Sequence, residues 1–188
     1  MSIRAPDARG PMPPDEVMFS NAVRAEQTRR GSRQRYAKLA AAGRFAAVLS
    51  AETIAFIAER DSAYLATASA DGQPYVQHRG GPAGFLRVLD ERTVAFADYA
   101  GNRQYISTGN LGENERAFLF LMDYAAGRRL KLWGRARVAA EPELLARLAD
   151  PGYAARIEGA IVFTVSASDW NCSQHIPRLV PAEAIIDR

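Results

Sequence analysis

Residues 129–138 read Arg-Leu-Lys-Leu-Trp-Gly-Arg-Ala-Arg-Val, a period of two held for ten residues. Side chains on a strand point alternately to opposite faces. Leu130, Leu132, Gly134, Ala136 and Val138 therefore face one way, and Arg129, Lys131, Trp133, Arg135 and Arg137 the other. A helix cannot segregate this pattern. The preceding run, Arg116–Tyr124, holds Phe118, Leu119, Phe120, Leu121 and Met122 and connects through the turn Ala125-Ala126-Gly127. It reads as a strand covered on both faces or a buried helix, and its aromatic content and the following turn favour the strand. The two runs commit the chain to an antiparallel sheet.

Further strand pairs surround this hairpin. Ala63 to Ala70 is extended and apolar, and Asp71-Gly72 predicts a two-residue hairpin turn. The chain returns through Tyr75, Val76 and Gln77, with Pro74 placing that segment at a strand start or a sheet edge. Phe85–Leu89 and Thr93–Ala97 flank the turn Asp90-Glu91-Arg92, and Ile161, Phe163 and Val165 mark a last strand. Short helices are expected within Gly101–Leu111 and over Glu141–Ala149. Residues 1–14, rich in proline and glycine, read as a flexible arm. Residues 15–48 read as a helical extension, with helices at about 17–29 and 33–42. Residues 49–188 form the main domain, opened by a helix capped by Ser50, with Glu52 near its positive end and Ile54, Ile57 and Ala58 on one face. The expected fold class is α+β, an antiparallel barrel of six or seven strands with N-terminal and short inserted helices. No glycine-rich dinucleotide fingerprint or phosphate loop is present.

Charge narrows the partners. The 24 basic and 21 acidic residues give +3, but residues 1–44 alone carry a net +5 and the remainder a net −2. A slightly acidic main domain argues against nucleic-acid binding. No apolar run reaches the roughly 20 residues of a membrane helix. The N-terminus has no apolar core of a secretory signal, so a cytoplasmic protein is expected. Cys172 is the single cysteine, which rules out an intrachain disulfide and a multi-cysteine metal site.

Four clusters can carry chemistry. In Asp98-Tyr99-Ala100-Gly101-Asn102-Arg103-Gln104, between a strand and a helix, unpaired helix N–H groups and Arg103 suit an anion; an ordinary helix cap uses the same residue types. In Gln77-His78-Arg79-Gly80-Gly81-Pro82, the glycines either allow a flat ligand close to the backbone or simply make a turn. The basic face of Arg128–Gly134 suits an anionic ligand, a partner subunit or plain solvent. Asp169–Pro177 contains Trp170, Cys172, Gln174 and His175; its Cys-His spacing alone builds no nucleophile, and one cysteine with two histidines makes a weak zinc site.

Taken together, these segments resemble the pyridoxamine 5′-phosphate oxidase-like family of FMN-binding split β-barrels over roughly residues 55–178. The likeness rests on Tyr64-Leu65-Ala66-Thr67, on Gln77 to Pro82, on Gly101-Asn102-Arg103-Gln104-Tyr105-Ile106-Ser107, and on Trp170-Asn171-Cys172. It is closest to a bacterial branch of oxidase-related flavin proteins. The resemblance implies FMN bound at a homodimer interface, with a small-molecule substrate and neither nucleic acid nor membrane as partner. It places Asn102, Arg103 and Gln104 at the phosphate, with Gln104 where the family has lysine. It places Gln77, His78, Arg79 and Gly80 along the flavin ring, with Gln77 at an arginine position. Asp98 and Tyr99 fall beside the ribityl chain, Arg129 reaches the ring from the second subunit, and Trp170, Gln174 and His175 form a C-terminal flavin-side segment. The second phosphate site and C-terminal Arg-x-His element of the true vitamer oxidases are not reproduced by Arg178 alone. The implied activity is hydride transfer from a small substrate or reduced nicotinamide to flavin N5, with no catalytic side chain assigned. A flavin- or haem-binding sensor or carrier is the alternative.

Overall fold

The computed structural model describes residues 12–170 and 174–179. The arm expected over residues 1–14 lies mostly outside the described residues, as does Cys172. Seven strands form one antiparallel sheet: β1 (Ser62–Ala68), β2 (Pro74–Gly80), β3 (Arg87–Asp90), β4 (Thr93–Tyr99), β5 (Arg116–Asp123), β6 (Arg128–Ala139) and β7 (Ile157–Trp170). Their order is β2-β1-β5-β6-β7-β4-β3, so β2 and β3 remain as edges and the barrel is split. Pro74 opens edge strand β2, where no neighbour needs its missing N–H.

The inner face holds the sheet together. Gln77, Leu65, Leu119, Leu132 and Ser168 stand side by side across five strands. The three leucines are fully buried, and Val94, Phe96, Ile161 and Phe163 continue the same core on β4 and β7. The polar ends of the row are satisfied: Ser107 Oγ donates to Gln77 Oε1 at 2.9 Å, and Ser168 Oγ donates to the Ala46 carbonyl at 2.8 Å. Covering this face makes the sheet curl until Arg79 of β2 forms an ion pair with Asp98 of β4 across the split.

Six helices are described: α1 (Pro14–Met18), α2 (Asn21–Arg29), α3 (Arg33–Ala41), α4 (Ala51–Ala58), α5 (Ile106–Glu113) and α6 (Pro142–Leu148). None is long and apolar enough to cross a membrane. Ser50 caps α4 by accepting from the Thr53 N–H at 3.2 Å. The buried stripe of α4 is Thr53, Phe56 and Ile57, whereas Ile54 and Ala58, expected to share the inner face, are exposed. On the outer face Ala95, Ala97, Ala139 and Ala160 let α6 approach closely and bury Leu148. α5 lies across β1 and β2, with Asn110 Nδ2 donating to Thr67 Oγ1 at 3.0 Å.

Several local expectations change. Asp71-Gly72 is not a two-residue turn: the Ser69 N–H bonds the Gln73 carbonyl around three intervening residues, and only Gly72 has positive φ (94°). A type I′ turn requires positive φ at both central residues, which Asp71 does not adopt. The helix expected over 17–29 is broken at Phe19 and Ser20, because Phe19 packs edge-on against Tyr36 and Phe45 and Ser20 caps α2. The strand Arg116–Tyr124 is not covered on both faces: Leu119 and Leu121 are buried, while Phe118, Phe120 and Met122 are only half-covered.

At Gly134, β6 and β7 approach too closely for a side chain. Their register shifts by one residue at Trp133/Gly134, so Ser166 bulges from β7. A Cβ on Gly134 would lie 2.1 Å from the Thr164 carbonyl oxygen and 2.8 Å from the Phe163 ring. Gly134→Ala is expected to cost about 3 kcal/mol of stability in urea unfolding, since neither backbone nor buried ring can yield. Gly109→Ala, in α5 with open space around the added methyl, is expected to gain about 0.5–1 kcal/mol. Equal effects would show that contact at Gly134 is not limiting.

Candidate functional site

The split end of the barrel collects most of the polar residues singled out above. Strand alternation sends Gln77 and Arg79 inward and His78 outward. Arg79 and Asp98 are 12% and 18% exposed at the side chain, and the Arg79 Nε is buried without a hydrogen-bond partner among the described residues. Gln77 is locked by Ser107 in the first turn of α5.

The segment leading into α5 differs from the expected helix start. The helix begins at Ile106, so Asn102, Arg103 and Gln104 form a preceding turn rather than its first residues. Asn102 Oδ1 accepts from the Gln104 N–H at 3.1 Å, and Asn102 Nδ2 donates to Gln104 Oε1 at 3.2 Å. Arg103 and Tyr105 both have positive φ, 62° and 53°. That backbone turn leaves α5 with Tyr105 at its N-cap and no side-chain cap. The first N–H groups of α5 keep their partial positive charge, and the exposed Arg103, hydrogen-bonded to the Tyr105 side chain, precedes them in the chain. Tyr105 donates to Glu158 Oε2 at 3.4 Å, anchoring this turn near Gly159, the residue paired with Asp98.

Other candidates stand elsewhere. Tyr99 points to the face opposite Asp98, packs under α6 and meets Tyr153 edge-on at 5.2 Å. Burial first, then Tyr153 and Asp150, push its hydroxyl above the ordinary phenol range. Arg129 lies on the outer face at the start of β6, opposite Met122. Trp170 ends β7, far along the strand from Gly159, packed edge-on to Phe56 at 4.8 Å under the Arg128 guanidinium. Gln174 and His175 are exposed in the following turn. Within one chain, Arg129 and Trp170 do not join the Arg79–Asp98 group.

Two features escaped the sequence. One is Ser107, buried and aimed at Gln77; its place in the quoted Gly101–Ser107 run carried no sign of that contact. The other is an open cleft of about 670 Å³ lined by Asp61, Ser62, His78, Gly80, Gly81, Pro82 and Tyr153. Tyr153 reaches it from the loop after α6, a long-range approach that no local pattern announces.

The profile of the pyridoxamine 5′-phosphate oxidase family matches residues 49–185. This chain belongs to that family. No curated protein matches it by sequence. Among solved structures, HupZ of Group A Streptococcus aligns at 17% identity with a TM-score of 0.54, covering 70% of this chain and 98% of that one. An FMN-binding protein from Syntrophomonas wolfei aligns at 13% identity and TM-score 0.47, covering 77% of this chain and 97% of its own. The FAD binding protein of Mycobacterium smegmatis aligns at 14% and 0.45, covering 66% and 99%. At these identities the likeness is one of fold. The helices α1 to α3 precede the family match.

The ion pair at the split gives a direct test. Asp98→Asn leaves the Arg79 guanidinium largely buried and uncompensated, at an expected cost of about 2–3 kcal/mol in urea unfolding. The double variant Arg79→Met/Asp98→Leu is expected to recover most of that loss. A single-variant loss under about 0.5 kcal/mol would mean the pair behaves as a solvated surface contact.

Proposed function

We propose that this protein is a homodimeric FMN-dependent oxidoreductase with the flavin bound at the split end of each barrel, completed by the second copy. The observation carrying this reading is the α5 N-terminus: it lacks a side-chain cap and is flanked by Arg103, Asn102 and Gln104. These donors fit the phosphate of flavin mononucleotide, since helix N–H groups and a guanidinium both favour a doubly negative oxygen cluster. Gln77, held by Ser107, and Arg79, held by Asp98, flank the adjoining strand with fixed polar edges. FMN, when bound, supplies a two-electron acceptor. The protein's part is to bind it, orient it and set the charge around its ring.

The outer face supports the dimer. Tyr64, Ala66, Val76, Phe118, Phe120 and Tyr124 line an apolar groove, with Val76 59% exposed. Half-covered aromatics of this kind gain from burial against an identical face. Arg129 starts its strand on the same outer face and would enter the second copy's site, which accounts for its separation from Arg79 and Asp98 within one chain. A cation there would favour negative charge on a bound flavin. Gln174, His175 and Trp170 would join as the C-terminal side.

Titration with FMN, followed by quenching of flavin fluorescence, is expected to show one site per chain. Arg103→Ala is expected to weaken it about tenfold to a hundredfold. Absence of FMN binding to the unaltered protein would overturn the cofactor assignment. Phe120→Asp is expected to yield monomers in size-exclusion chromatography with light scattering and to weaken FMN in parallel; monomers with full FMN affinity would overturn the shared site. Reduction of bound flavin by NADH, NADPH or small amines separates turnover from a carrier role.

A further inference from the structure

The cleft beside β2 has a composition unsuited to a phosphorylated ligand. Among the described residues its side chains include a carboxylate, Asp61, and an imidazole, His78, but no arginine or lysine. Among the described residues no cation pairs with Asp61; its carboxylate accepts only from Ser62 Oγ, at 3.0 Å. Arg87, whose charge acts on Tyr99, does not line the cleft.

One wall is aromatic and braced. Tyr153 is 43% exposed, and Tyr99 supports its ring edge-on at 5.2 Å. The floor is bare backbone for a steric reason. A Cβ on Gly81 would lie 2.8 Å from Phe85 Cβ, and one on Gly80 would lie 3.0 Å from His78 Cε1. Neither position can carry a side chain, so Asp61, His78 and Tyr153 supply the side chains of the cleft around this stretch of main chain. His78 stands edge-on to Tyr64 at 5.6 Å and lines the same cleft.

We infer that this cleft is a subsite for a planar organic cation without a phosphate group. The cationic end pairs with Asp61, and the ring lies on Tyr153, where the π-face attracts positive charge. Because His78 and Gly80 belong to the strand assigned to the flavin ring, the inference deepens the proposed function and rests on it for its catalytic meaning: the substrate is a cationic, unphosphorylated ring compound. Its recognition differs in sign from the phosphate site at α5.

Benzamidine, a planar aromatic amidinium, is the probe. Calorimetric titration of the full-length protein as purified is expected to show saturable binding, with phenyl phosphate and benzoate silent. Asp61→Asn is expected to weaken benzamidine about tenfold with unchanged thermal melting, because Asp61 is exposed, and Tyr153→Ala about threefold to fivefold. Failure of benzamidine to bind, equal affinity in Asp61→Asn, or phenyl phosphate binding as well as benzamidine would overturn the inference. The titration needs no flavin. Protein that binds benzamidine but not FMN removes the cofactor assignment alone, and the reverse removes the cleft alone.

Discussion

A sheet with one apolar face must cover that face, and here it does so by curling onto itself. The row Leu65, Leu119 and Leu132 is fully buried only because β4 and β7 bring Val94, Phe96, Ile161 and Phe163 round to meet it. The curl depends on β6 and β7 lying closer than side chains normally allow. Gly134 permits this, with the Thr164 carbonyl occupying the place of a Cβ, and the bulge at Ser166 turns the strand. Curling then brings edge strand β2 to β4. There Arg79 and Asp98 neutralise each other in a largely buried setting, which specifies where the split stops closing. The polar site follows from that geometry.

The two ends of the inner row show how core and site share residues. Gln77 belongs to the same row as the leucines, yet its side chain ends in hydrogen-bonding contact with α5. The helix that plugs the barrel is thus the helix whose N-terminus offers free N–H groups. Asn110 and Ser107 hold its body to β1 and β2, so the turn at Arg103 and Tyr105 absorbs the backbone distortion. Positive φ at two non-glycine residues is sustained by that anchoring.

Much of the sheet was legible because strand signals are local. The alternation of Arg129–Val138 located β6, and Pro74 marked an edge strand because proline cannot donate to a neighbour. The site was legible in part. Gln77, Arg79 and Asp98 stand out as candidates in the sequence, but their contacts join residues distant along the chain, Arg79 and Asp98 across the split and Gln77 with Ser107 of α5. Tyr99 was grouped with Asp98 by adjacency, yet successive residues on a strand face opposite ways. The break at Phe19 and the shifted stripe of α4 had the same origin: packing against distant aromatics outweighed local helix preference.

The sequence by itself determined the class of fold, the order of its elements and the family, because periodicity, turn residues and short motifs are properties of neighbouring positions. It also determined that the main domain carries little net charge, so the arginines act singly. Tertiary structure alone decided which of them meet an acid, which polar groups converge at the uncapped α5, and that Asp61 and Tyr153 share a cleft with His78. Those outcomes depend on the curl and register of a seven-stranded sheet, and a one-residue change in register would send every side chain to the other face.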